Sequence, residues 1–294
     1  MMSRRRLGTS LLMLLSLVWA QSLMADDAGD IAKLRADAQR GDAAAQIRLG
    51  MAYHDGKGVA KDLPEALKWY SKAAVQNNPD AELLIAYAYQ DGDGVEKNPT
   101  YAAGWYQKAA DQGNARAQAA LGFLYYMGHG VPQDNAKAMM LWTKAAQQNN
   151  INAQLSLANV YTLGEGVAKN NEEALKWYRS AAMLGSVKAQ ILLGNLYHAG
   201  KAVPKNDTEA VKWWLKAAEH NNARAEWMLG NAYHEAQGVT KDEAAAIMWF
   251  SLSAQQGHKY SIATLASVEK EATPDQISEG KKRADAWRTQ HPAN

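Results

Sequence analysis

The chain has 294 residues, with 32 Lys and Arg against 30 Asp and Glu, for a formal net charge of +2. So even a balance excludes the basic footprint of a nucleic-acid binder. Cysteine is absent, which excludes thiol chemistry, thiolate metal sites and lipid attachment through an N-terminal cysteine, while a chain of this length buries enough surface to do without disulfides.

The first element is a leader. Ser3-Arg4-Arg5-Arg6 precedes an apolar run from Leu11 to Ala20, and Leu23-Met24-Ala25 ends in a small residue ahead of Asp26-Asp27. This order predicts a secretory signal peptide over residues 1–25, cut after Ala25 or Ala20. The run is too short to span a membrane. Arg4-Arg5 also suits twin-arginine export, although the residues after them match that motif poorly. Loss of the leader removes three arginines and no acid, taking the net charge from +2 to −1. The mature chain is thus expected in a bacterial periplasm, or secreted, with no stable membrane anchor.

Residues 26–41 follow as an N-terminal capping helix, with Lys33 where later units place tryptophan, as suits an outer face in water. From residue 42 to 257 the chain repeats. Ala-Ala or Ser-Ala dipeptides begin at 73, 109, 145, 181, 217 and 253, each 36 residues from the last. Tyr53, Tyr89, Tyr125, Tyr161, Tyr197 and Tyr233 keep the same step, as do Val59, Val95, Val131, Val167, Val203 and Val239. A period of this length marks units that must stack on their neighbours to bury an apolar face.

Within a unit, residues 42–53 read as a first helix and 63–74 as a second, joined by Gly56-Lys57-Gly58-Val59. Asp62, Asn98, Asp134, Asn170, Asn206 and Asp242 open the second helices, and their short side chains can accept from the free N–H groups of a first turn. Gly41, Asn77, Gly113, Asn149, Gly185, Asn221 and Gly257 close the units, because Gly and Asn most easily take the left-handed conformation that ends a helix. No alternating β-branched run occurs. The class is all-α, an α/α solenoid of stacked helix pairs with a right-handed superhelical twist. Ala202 and Ala236 replace loop glycines in the fifth and sixth units, so those two loops are expected to turn differently.

The pattern Ala-Gln-x-x-Leu-Gly-x-x-Tyr, then Gly-x-Gly-Val, then Ala-Leu-Lys-Trp-Tyr-x-x-Ala-Ala resembles the Sel1-like repeat family, relatives of the tetratricopeptide repeat. The resemblance implies a protein-binding solenoid. It does not imply one particular partner.

On a helical wheel of the first helix, residues 45, 46, 49, 50, 52 and 53 share the invariant arc. Residues 44, 47, 48, 51, 54 and 55 share the opposite arc, whose columns vary. In related solenoids that side is concave and binds. Column 51 reads Met51, Tyr87, Phe123, then Asn159, Asn195, Asn231. Leu84, Tyr126 and Met127 gather around the apolar half, forming either an interaction patch or a stripe buried between helices. In the other half, Trp227, Met228, Asn231, His234 and Glu235 share the arc, with Trp227 either an anchor or a surface-packed ring.

Along the second helices, Ala66, Leu67, Trp69, Tyr70, Ala73 and Ala74 face the stack, making the tryptophans structural. Leu141-Trp142 shifts the ring by one position. Lys68, Lys72, Lys108, Lys144, Lys176, Lys212 and Lys216 form a solvated outer face. Residues 258–294 read as a C-terminal capping pair, with a capping box at Thr273-Pro274-Asp275-Gln276 and Trp287 in the final helix.

No nucleophile elbow, phosphate-binding glycine loop or zinc helix occurs. His198 and His234 lie one unit apart but lack a third ligand, so neither metal nor cofactor is expected. The expected function is a non-enzymatic scaffold that holds an envelope protein or peptide on the variable arc. One alternative, implied by the resemblance, is an immunity partner for a secreted toxin such as a phospholipase. The other is a cell-wall or β-lactam hydrolase, for which the chain lacks a nucleophile and base.

Overall fold

The computed structural model describes residues 30–292; the leader and both cleavage positions lie outside them. Every regular element among the described residues is an α-helix. They form two compact units, one through Ala145 and one from Ala146. In the first, α1 (residues 30–39) precedes α2 (Ala43–Asp55), α3 (Leu63–Ala74), α4 (Pro79–Asp91), α5 (Pro99–Asp111), α6 (Ala115–Met127) and α7 (Asn135–Gln147), whose last two residues belong to the second unit. In the second are α8 (Ile151–Leu163), α9 (Asn171–Met183), α10 (Val187–Ala199), α11 (Asp207–Ala218), α12 (Ala223–His234), α13 (Glu243–Gln255), α14 (Lys259–Glu271) and α15 (Pro274–Gln290).

Helix ends follow the chemistry of the caps. Asp62, Asn98, Asp134, Asn170, Asn206 and Asp242 each accept from a backbone N–H of the following first turn. Such a cap stabilises a helix by about 1 kcal/mol. A second column does the same for the first helices: Asp42, Asn78, Asn114, Asn150, Ser186, Asn222 and His258. The closing column is left-handed throughout, from φ 53° at Asn221 to 98° at Gly41.

Ala202 and Ala236 do not turn their loops differently. Their φ values of 68° and 58° lie beside those of Gly58 and Gly56, 69° and 73°. The column of Ala202 docks on the preceding repeat, where a Cβ at Gly94, Gly130 or Gly238 would lie within 2.5 Å of the backbone opening the previous second helix, whereas the column of Ala236 packs on its own loop, as Gly56 does on Lys61 and Gly128 on Gln133. Packing holds both turns, and alanine accepts the strain.

Packing within a helix pair uses a small residue opposite a ring. A Cβ on Gly50, Gly122, Gly194 or Gly230 would collide with Tyr70, Trp142, Trp214 or Phe250 respectively. The displaced ring at Trp142 therefore occupies the usual aromatic position, is buried, and donates Nε1–H to the Ala119 carbonyl. Successive repeats are stitched by glutamine: Gln46, Gln118, Gln154 and Gln190 are buried and donate to the carbonyls of Ala38, Ala110, Ala146 and Ala182. In this column Glu82 and Glu226 instead accept from Gln112 and Gln256 at 2.7 Å.

The C-terminal end closes on α13. Gly280 lets α15 approach Ile247 and Ala244, and Trp249 meets Trp287 edge-on at 4.8 Å. Thr273 and Gln276 form the capping box. At the other end Ala38 of α1 is buried against Ala45, Leu49 and Trp69, while Lys33 is exposed.

Candidate protein-interaction surface

The i, i+3, i+4 spacing of a helix places Ala44, Ile47, Arg48 and Met51 in one stripe of α2, away from the buried Ala45, Gln46, Leu49, Gly50 and Ala52. The same stripe continues on α4 and α6. Its apolar side chains are open to solvent: Met51 is 45% exposed, Tyr87 36%, Phe123 49% and Met127 46%. Leu84 and Tyr126 are half-buried.

Met51, Leu84 and Tyr87 come together as the floor shared by two clefts, of about 570 Å³ and 520 Å³. Arg48 and Arg116 line the first cleft, and Asp55, Asp91 and Asp93 line the second. Tyr87 leans edge-on against Tyr106 at 5.7 Å, and this burial pushes its hydroxyl pKa up. Phe123 and Met127 stand on α6 outside both clefts, and Tyr126 packs on Trp142 at 5.4 Å. The sequence put the columns of Arg48 and Arg116 on the variable arc but singled out neither residue. They occupy different columns of the repeat and converge only when neighbouring helices stack.

In the second unit the variable arc is more occupied by its own chain. Asn159 is exposed but accepts from the Tyr178 hydroxyl at 2.7 Å, and Asn195 accepts from Trp214 Nε1–H at 3.2 Å. Asn231 donates to the Trp227 carbonyl at 3.0 Å. Trp227 packs against the core around Phe250 and Val268 and stacks near His258 and Tyr260. Met228 is half-buried against a second core cluster. His234 Nδ1 meets Glu243 Oε1 at 2.7 Å, while Glu235 is exposed and accepts from Gln237.

Family comparison adds the remaining piece. The Sel1 repeat model matches residues 43–78, 79–114, 115–150, 151–186, 187–222 and 223–258. The chain belongs to the Sel1 repeat family. A Sel1 repeat protein from Oxalobacter formigenes is 33% identical, with TM-score 0.66, over 74% of this chain and 89% of its own. A protective antigen with the same repeat fold from uropathogenic Escherichia coli is 28% identical over 90% and 72%, with TM-score 0.45. An immunity protein from Pseudomonas aeruginosa is 24% identical over 72% and 81%, with TM-score 0.46. No curated protein matches. Sel1 repeats are scaffolds for protein–protein interaction.

On the second helices of these Sel1 repeats the lysines are committed locally. Lys68, Lys176 and Lys212 pair with the glutamate three residues earlier, and Lys72, Lys108 and Lys216 lie over Trp69, Trp105 and Trp213. Exposed pairs of this kind add little, because water and salt screen them. His198 and His234 do not converge; each bridges to a carboxylate on the second helix of its own repeat, Asp207 or Glu243. Among the described residues, no group of three His, Asp or Glu side chains could hold a metal, and no helix is long and apolar enough to cross a membrane.

Proposed function

We propose that this Sel1 array is an exported adaptor of the cell envelope, which binds a protein or peptide partner on the variable arc of its first helices and performs no catalysis. The observation that carries the reading is the exposed apolar set Met51, Tyr87, Phe123 and Met127 on α2, α4 and α6. Large apolar side chains gathered on one face of a soluble fold mark interaction sites. The lysine face competes poorly, since its cations already have partners within their own helices. Export rests on the leader pattern from Arg4 to Ala25.

A photo-crosslinking residue placed at 51 or 123 should capture the partner from a periplasmic extract, while the same residue at 68 should not. Tyr87→Ala with Phe123→Ala should weaken capture at least tenfold while thermal stability falls by no more than about 2 kcal/mol, as befits half-exposed side chains. Capture through position 68 alone would move the binding face. Appearance of the full-length chain only in the cytoplasm would reject export.

A further inference from the structure

The two clefts on the first unit carry opposite charge across one apolar strip. On one side Arg48 and Arg116 are exposed, and neither has an ion-pair partner among the described residues. Asp80, on the same side, is held by Asn114 Nδ2 at 2.9 Å. On the other side stand three carboxylates. Asp55 is engaged by Lys57 at 2.7 Å and His54 at 2.8 Å, and Asp93 faces only His54, at 3.5 Å. Asp91 touches no cation; its neighbour is the Gln90 amide. Between the two sides lie Met51, Leu84 and Tyr87, which line both clefts.

We infer that this surface takes an extended segment of a partner protein bearing an acidic and a basic side chain on either side of a large apolar one, the acid toward Arg48 and Arg116 and the base toward Asp91 and Asp93. The inference rests on the binding reading proposed above and specifies what is bound. Spacing sets the length of the motif. Asp91 lies seven residues beyond Leu84, the position on α4 equivalent to Arg48, an axial offset of about 10 Å at 1.5 Å per residue. An extended chain advances about 3.3 Å per residue and turns alternate side chains to the same face, so charges four positions apart, with the apolar residue midway, all face this surface and span about 13 Å, which the long arginine and lysine side chains accommodate. The apolar residue between them covers Met51 and Tyr87, while the charges select register and reject segments of a single sign.

Three fluorescent peptides test this, sharing a Ser-Phe-Ser centre and flanked by Glu and Lys, by two Glu, or by two Lys. The mixed peptide should bind at least about tenfold tighter than either single-sign peptide. Arg48→Glu with Arg116→Glu should transfer preference to the two-Lys peptide, and Asp91→Lys with Asp93→Lys to the two-Glu peptide. All four positions are solvent-accessible, and circular dichroism checks that the variants keep their helices. Equal binding of the three peptides, no binding of any, or variants that keep the wild-type order would overturn the inference. If binding is lost in the Tyr87→Ala, Phe123→Ala variant yet ignores every charge change, the apolar face still binds and only the charge assignment fails. Failure of the binding reading itself would appear instead as partner capture away from residues 51 and 123.

Discussion

Trp214 on α11 donates its indole N–H to the Asn195 carboxamide on α10, tying the two helices of one repeat together at 3.2 Å. The preceding repeat does the same with Tyr178 and Asn159, also nineteen residues apart, at 2.7 Å. Where the ring is Phe250 and has no donor, Asn231 turns back to the Trp227 carbonyl. Where it is Tyr106, the hydroxyl goes to Gln90 and column 51 can hold Tyr87. The amide half of that column is therefore matched to the ring it faces. Asn159→Ala and Asn195→Ala should each lower stability by about 1–2 kcal/mol in urea unfolding, since each leaves a half-buried donor unmatched. Asn231→Ala should cost less than half of that, and equal losses at all three sites would reject the matching.

Glu226 is fully buried, with Gln256 beside one oxygen and none for the other. Burial pushes its carboxyl up to about 7, against the pull of Arg288 and the Gln256 hydrogen bond. The folded value lies above the unfolded one, so the fold holds the proton more tightly. This contribution is fully present below about pH 4.5 and is lost as pH rises through about 7. Its size is roughly 3 kcal/mol for a shift of this order. Glu226→Gln should thus leave stability unchanged near pH 4 and raise it by about 2–3 kcal/mol at pH 8. The new amide can donate to the Ala218 carbonyl, as Gln190 does to Ala182. A variant less stable than wild type at pH 8 would show that the charged form is favoured.

The loop of the fifth repeat holds Ala202 at φ 68°. Ala202→Gly relieves a left-handed alanine and should raise the melting free energy by about 1 kcal/mol. Gly130→Val should do the reverse and far more strongly, because its Cβ would lie 2.4 Å from the Pro99 carbonyl group. Differential scanning calorimetry separates the two, and a destabilised Ala202→Gly would mean that the methyl group packs usefully there.

Asp134 accepts from the Lys137 amide at 3.0 Å at the start of α7. Asp134→Ala should cost about 1 kcal/mol. Asp111, at the far end of α5, bonds only the Gln107 side chain, and its replacement by Ala should cost little. Equal thermal shifts would remove the capping role.

Much of this architecture is legible in the chain. A 36-residue step in Ala73, Tyr53 and Val59 reveals the array, and Asp62 or Gly41 marks a boundary because capping and left-handed turns need few residues and short reach. The cap column at Asp42, Asn78 and Asn114 was equally readable, being short polar residues ahead of each first helix. Helical periodicity put Met51, Tyr87 and Phe123 on one arc, but it left open whether they were exposed or buried between helices, and the structure exposes them.

Other features depend on how helices stack. The sequence by itself determined the period, the helix pairs, their ends and the side that varies, since all of these follow from local backbone preferences and the spacing of apolar residues. Only the tertiary structure decided that Arg48 and Arg116 share a cleft, that Asn195 already serves Trp214, and that Ala202 keeps a glycine's conformation. Those outcomes depend on distances of a few ångströms between helices. Such distances come from the packing of whole side chains against neighbouring repeats, which no column of the repeat encodes alone.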